Sequence, residues 1–243
     1  MKNLLKQDSI KLFFLLIFLC LFSLFSVKSN ALLILMLFML IISIYFIVKK
    51  KMLINKNDIL IGGILLLCCL PTNPILSVFV LPVYVACRVL LKNTSYDIPF
   101  LGDFKNSVKT IFCIFLIGGG LSIVNIFLIV QETTYNFNYV LQYFLSALGI
   151  GIYEEVLFRL FYFALCIYIL KDKKMNKTQT ILSYLIMVLP HVLLHPGIDL
   201  VSIVGLSLLF GLPFALMQRK LNLISAMGSH ALVDFIRFIV FGG

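Results

Sequence analysis

"GIYEEVLFRLF", residues 151–161, sets Glu154, Glu155 and Arg159 inside an apolar run that extends over 138–170. An ionised group in a bilayer costs a few kcal/mol or more unless it is paired or faces water. Three such groups in so short a stretch need a structural or chemical reason. The rest of the chain shows that a bilayer is the right setting. Its 243 residues are 62% hydrophobic and only 12% charged, with a mean hydropathy of +1.11. Soluble domains carry about 25% charged residues. This composition predicts one integral all-α domain, a polytopic membrane helical bundle.

Apolar runs fall at about 11–27, 31–48, 58–70, 75–91, 108–130, 138–170, 178–195, 199–217 and 222–240. A span needs about 20 residues, and most of the runs qualify. The run 58–70 is short, and Pro71-Thr72-Asn73-Pro74 breaks the helix after it. It forms one arm of a tight hairpin or half of a re-entrant pair, so eight or nine segments are expected. The run 138–170 is too long for one plain span at about 1.5 Å per residue. It must tilt, protrude or kink, the last near Gly149–Gly151. Gly118-Gly119-Gly120 permits close helix approach.

The net charge of +10 does not point to nucleic acid. Lys49–Lys51, Lys171, Lys173, Lys174, Lys177, Arg219 and Lys220 sit in short clusters between apolar runs. That is the positive-inside pattern of a cell-membrane protein. With the N-terminus cytoplasmic and nine crossings, 49–57, 92–107, 171–177 and 218–221 all fall inside. The loop 131–137, "QETTYNF", then falls outside, as does the C-terminus. The first run, Leu12 to Val27, looks like a signal-peptide core but is long and lacks a clear small-x-small cleavage site, so it reads as a retained helix. The six cysteines lie in apolar runs without zinc-ligand spacing and read as buried hydrophobes, not disulfides.

Most acidic residues sit in loops or at helix ends. Glu154, Glu155 and Asp234 do not, and all three histidines, His191, His195 and His230, fall in or at the ends of apolar runs of the last third. Glu155 and Arg159 are four apart on a helix, with the glutamate N-terminal, the better orientation for a pair. Glu154 points about 100° away and has no local cation. His191 and His195 share a face, and so do His230 and Asp234. Each of three helices thus offers one polar face. The cheapest arrangement turns all three toward one water-containing cavity. A single pair would serve as a tether between helices, but Glu154, two histidines and Asp234 together exceed that need. They are parts for hydrolysis: a carboxylate to take a proton from water, and imidazoles to relay protons, to donate to an oxyanion or to bind a metal.

The pattern resembles the CPBP family, the CAAX proteases and bacteriocin-processing enzymes also called Abi. "EEVLFR", 154–159, is similar to its EExxxR signature. "HALVD", 230–234, resembles its last motif, His-x-x-x-Asn, and "FGLPFALMQRKLNLISAMGSH", 210–230, resembles the approach to it. The likeness covers about 140–240, so 136–243 is expected to form the catalytic core and 1–135 a set of membrane helices of uncertain role. The resemblance implies that Glu154 activates water, that Glu155 and Arg159 pair structurally, and that His230 belongs to the oxyanion site. The middle motif, Phe-x-x-x-His, fits two registers. With His195 as its histidine, His191 takes the Phe position; with His191, Met187 does. The end of the helix at Pro196-Gly197 favours His195. Asp234 stands where the family usually has Asn. An ionised carboxylate cannot donate a hydrogen bond as an amide can, so Asp234 must be protonated, orient His230 or bind a metal. Arg237 is near enough to pair with it.

The resemblance implies an intramembrane endopeptidase acting on a membrane-associated peptide or protein, in bacteriocin or signal-peptide maturation, self-immunity or CAAX-like processing. Its chemistry would be glutamate-activated water or a metal such as zinc, for which Glu154, His191, His195 and His230 are the candidate ligands. Two other readings stand beside it. One is a non-catalytic immunity or scaffold protein that keeps the fold. The other is a proton-coupled transporter using Glu154 and the histidines as a relay, although the sequence shows no inverted repeat.

Overall fold

A computed structural model describes residues 2–29, 31–50, 54–92, 94–102, 104–128, 137 and 139–242. Most of the loop 131–137, together with Lys51, lies outside the described residues. Among the described residues there is no strand, and nine helices follow one another. They are α1 (Lys2–Lys28), α2 (Leu32–Lys49), α3 (Lys56–Cys69), α4 (Pro74–Leu91), α5 (104–128), α6 (140–170), α7 (Lys177–Val192), α8 (Leu200–Lys220) and α9 (Leu223–Phe241). Three of them contain a π-helical turn: Ile114–Gly118 in α5, Glu155–Leu160 in α6 and Ser207–Gly211 in α8.

Among the described residues six helices are long and apolar enough to cross a membrane: α1, α2, α4, α5, α8 and α9. Large apolar side chains such as Phe14, Ile41, Phe115 and Phe127 point outward. That is the surface of a protein solvated by lipid rather than water. Of the other three helices, α3 has 14 residues and α7 has 16, while α6 carries the Glu154–Glu155–Arg159 group. α6 is also the centre of the bundle. Every residue from Glu155 to Ile167 is buried, as expected of a helix that is apolar all round.

The breaks between helices are chemically marked. Asn73 caps α4 by accepting the Leu76 amide at 3.0 Å, directly before Pro74, which has no amide to leave unpaired. Asn176 and Gln179 form a reciprocal capping box at the start of α7. Asp199 caps α8 and Asn222 caps α9. α3 and α4 form the tight hairpin that Pro71–Pro74 suggests. Its Thr72 hydroxyl donates to the Leu145 and Ser146 carbonyls, each at 3.2 Å, and so leans the turn on α6.

The basic loops gather at one end. Asp8 accepts from Lys173 at 2.8 Å, Ser95 donates to Asp172, Asp58 meets Arg88 and Lys92, and Asn222 donates to the Leu101 carbonyl. The segments that the charge pattern assigns to one side of the membrane therefore do share one end of the bundle. Asp8 lies inside α1 and is buried, because the helix begins well before the apolar run at 11. The irregular turn of α6 lies at Glu155–Leu160 rather than at its glycines. Gly149 and Gly151 are places of close approach instead: a Cβ at Gly151 would sit 2.7 Å from the Met227 carbonyl and 2.9 Å from the Ala231 amide of α9.

Candidate active site

The two glutamates of α6 face different partners. Glu155 is fully buried. Arg159, one turn on, donates to its Oε1. His230 Nδ1 of α9 donates to the same oxygen at 2.9 Å. Gln218 of α8, with its amide nitrogen toward Glu155, donates to Oε2 at 3.3 Å and accepts the Leu160 backbone amide at 3.2 Å. One buried carboxylate thus ties α6, α8 and α9 together. Its desolvation is offset by three donors, which is what a buried charge needs. Gln218 escapes sequence reasoning because Gln218-Arg219-Lys220 reads as part of a basic turn.

Glu154 faces a cavity. His191 Nε2 of α7 donates to its Oε2 at 2.9 Å, and His230 Nε2 lies 3.4 Å from the same oxygen. Asp234 Oδ2 is 3.7 Å from His230 Nε2, and Arg237 Nε is 3.5 Å from Asp234 Oδ1. Each imidazole that contacts a glutamate is held by an aromatic face. Phe158 stacks on His191 with ring centres 4.9 Å apart, and Phe214 stacks on His230 at 4.8 Å. Phe214 also lies under the Arg159 guanidinium, 5.4 Å away. Such contacts add about 0.5–1.5 kcal/mol each and fix ring orientation.

The structure brings together Glu154, Glu155, Arg159, His191, His230 and Asp234. Among the described residues His195 forms no ion pair with Glu154, although it lines the same cavity. α7 ends at Val192, so His195 lies in the following turn, exposed, with its ring 5.7 Å from that of His191. The histidine against Glu154 is therefore His191, and Met187 occupies the position one turn before it.

Two cavities meet at this cluster. One, of about 310 Å³, is walled by α5, α6, α7, α8 and α9 and takes in Glu154, His191, His230 and Asp234. The other, of about 350 Å³, is walled by Ser26, Val27, Leu32 and Leu76 from the N-terminal helices and their connections. Tyr153, Glu154, His191 and His195 line both. Among the described residues no three of His, Cys, Asp and Glu are arranged to hold a metal ion. The nitrogens around Glu154 engage its carboxylate directly, at hydrogen-bonding distances.

Fold and site together define a membrane helical bundle with a carboxylate–imidazole centre set inside it, open to water-sized space. Residues 136–236, which run from before α6 into α9, match the family model of the Rce1-like proteins, type II CAAX prenyl endopeptidase Rce1-like. Over that region, which is less than half of the chain, the sequence is similar to the CAAX protease family. Comparison with curated proteins and with solved structures gives no match. The matched segment contains every residue of the glutamate–histidine cluster up to Asp234.

Proposed function

We propose that the chain is an intramembrane endopeptidase in which Glu154 activates water. The observation that carries this reading is the convergence of His191 and His230 on one Glu154 oxygen at the junction of two cavities. A water bound to Glu154 and His191 is placed to attack a peptide carbonyl. Glu154 takes its proton and returns it to the leaving amine, so that one C–N bond breaks and one C–O bond forms. His230, whose Nδ1 is fixed on Glu155, presents Nε2 toward the carbonyl oxygen as charge develops there. Asp234 and Arg237 hold that side of the ring. No step requires a metal. Glu155 and Arg159 position the helices without touching the reacting atoms.

The two cavities on either side of Glu154 form a path for an extended peptide, with the N-terminal helices supplying one wall. The basic end of the bundle is the cytoplasmic side. The substrate class is a membrane-associated peptide or protein terminus, prenylated as in the family's description or a leader or bacteriocin precursor processed for maturation or self-immunity. The test compares membrane and secreted peptides by mass spectrometry in cells producing wild type or Glu154→Gln at equal levels. Fragments that vanish in the variant, with their precursors accumulating, support the reading and name the substrate. Matching profiles overturn it.

A second reading has one observation in its favour. Asp234 places a carboxylate beside His230 where an amide would donate, which suits a protein that binds peptide without turning it over. It predicts that Glu154→Gln preserves any protection or binding effect of the protein.

A further inference from the structure

The oxyanion that forms during peptide hydrolysis needs neutral or cationic donors. In the cavity beside Glu154, His230 Nε2 is one such donor. Glu154 and Asp234 are carboxylates, Arg159 and His230 Nδ1 are engaged with Glu155, and Arg237 lies 3.5 Å from Asp234. One amide lines the same cavity: Asn125 of α5. It interrupts the apolar sequence Ile123-Val124-Asn125-Ile126-Phe127, where a polar side chain is costly unless it faces a partner or water. Among the described residues the Asn125 side chain makes no hydrogen bond, so its amide is available to a bound ligand.

The fold aims it there. α5 and α9 run parallel and close. Asn222 donates to Thr110 at 2.6 Å, and farther along a Cβ at Gly118 would lie 3.0 Å from the Ser229 Cα. Gly118, the buried Ser122 and Asn125 fall at i, i+4 and i+7, one face of a helix. That face looks onto α9, and Asn125 lines one cavity with Val233, Asp234 and Arg237. The register depends on the π turn at Ile114–Gly118. A π turn inserts a residue into a helix. Between these two contacts α5 advances eight residues where α9 advances seven, and the turn absorbs the difference. A regular helix would swing Asn125 about 100° away.

We infer that Asn125 is a catalytic residue: its side-chain amide donates to the oxyanion from the side of the cavity where Asp234 cannot. The inference rests on the proteolytic reading of Glu154. It is tested in the full-length protein, in cells and in the same peptide profiles, with Asn125→Leu, Asn125→Gln and Tyr153→Phe alongside wild type and Glu154→Gln. Leucine has nearly the same size and suits a membrane helix, so Asn125→Leu should fold. Thermal unfolding in detergent checks this, with an unchanged midpoint expected.

The expected result is a fall of about 10²–10³ in the rate of cleavage for Asn125→Leu, measured as kcat with little change in KM on a synthetic copy of the accumulated precursor. Asn125→Gln, which keeps the amide, recovers part of the loss. Glu154-dependent fragments that persist within about twofold in Asn125→Leu overturn the inference and leave the protease intact. A loss in Tyr153→Phe without one in Asn125→Leu also overturns it, because it assigns the donor to the Tyr153 hydroxyl. If no Glu154-dependent fragment exists, the protease reading falls and the inference falls with it.

Discussion

Glu154 and Glu155 are neighbours with opposite surroundings, and that contrast explains why both occur. Glu155 is enclosed by Arg159, His230 and Gln218. Removing its charge leaves a buried guanidinium with too few acceptors. Glu155→Gln is expected to cost about 3–5 kcal/mol of stability, read as a lowered unfolding midpoint in detergent. Glu154 instead meets a cavity through His191. His191→Ala is expected to lower cleavage by about 10²–10⁴-fold and His195→Ala by less than about tenfold, measured on the precursor that accumulates with Glu154→Gln. Equal losses would show that the exposed turn closes over the substrate. Much of this cluster is legible in the sequence, because carboxylates and imidazoles are costly in lipid and so stand out. The choice between His191 and His195 is not, since both registers satisfy the motif. What distinguishes them is where α7 ends, after Val192, with His191 inside the helix against Glu154 and His195 in the turn beyond. Phe158 and Phe214 are likewise invisible in the sequence, being two of 23 phenylalanines.

At the scale of elements, the site depends on how closely α6 and α9 approach. Gly151 stands three residues before Glu154, and any Cβ there meets backbone atoms of Met227 and Ala231, which cannot rotate away. Gly151→Ala is expected to part the helices, to cost about 1–3 kcal/mol, and to lower activity by drawing His230 away from Glu154. Cleavage and thermal unfolding measured together check this, and retained activity with unchanged stability would show that the approach is looser. The helices themselves follow from the sequence almost run for run, because Asn-Pro, Asn-Lys and Asp-Leu boundaries supply caps between apolar stretches. The π turns do not. A one-residue insertion in the hydrogen-bond ladder leaves no compositional trace, yet one lies at Glu155–Leu160 and another sets the direction of Asn125. The glycines of α6 are visible in the sequence, but their use in close packing rather than in a kink depends on the facing backbone.

For the whole molecule, the N-terminal helices are part of the site region rather than an appended anchor. Val27, Leu32 and Leu76 wall the second cavity up to Glu154. Sequence reasoning leaves 1–135 without a role because a uniformly apolar helix does not reveal which face meets its neighbours. Leu76→Trp is expected to fill that cavity and to slow cleavage by about tenfold or more, through displaced substrate rather than lost chemistry. The effect should fall chiefly on substrates with bulky residues beside the cleaved bond, and a panel of peptides varied there from alanine to phenylalanine reads it out. Unaltered preference would separate the second cavity from the substrate path. The basic loops gather at one end of the bundle, where Asp8 meets Lys173 and Asn222 meets Leu101.

In the proposed reaction Glu154 activates the water that hydrolyses a peptide bond inside the bundle. The most direct test is the cleavage rate of purified wild type and Glu154→Gln in lipid nanodiscs, on the precursor peptide that accumulates in cells carrying the variant, with products identified by mass. Wild type is expected to cleave a single peptide bond, and Glu154→Gln to do so at least about 10³-fold more slowly with an unchanged fold. Equal rates for the two proteins, or no cleavage by wild type of a peptide that it binds, would contradict it.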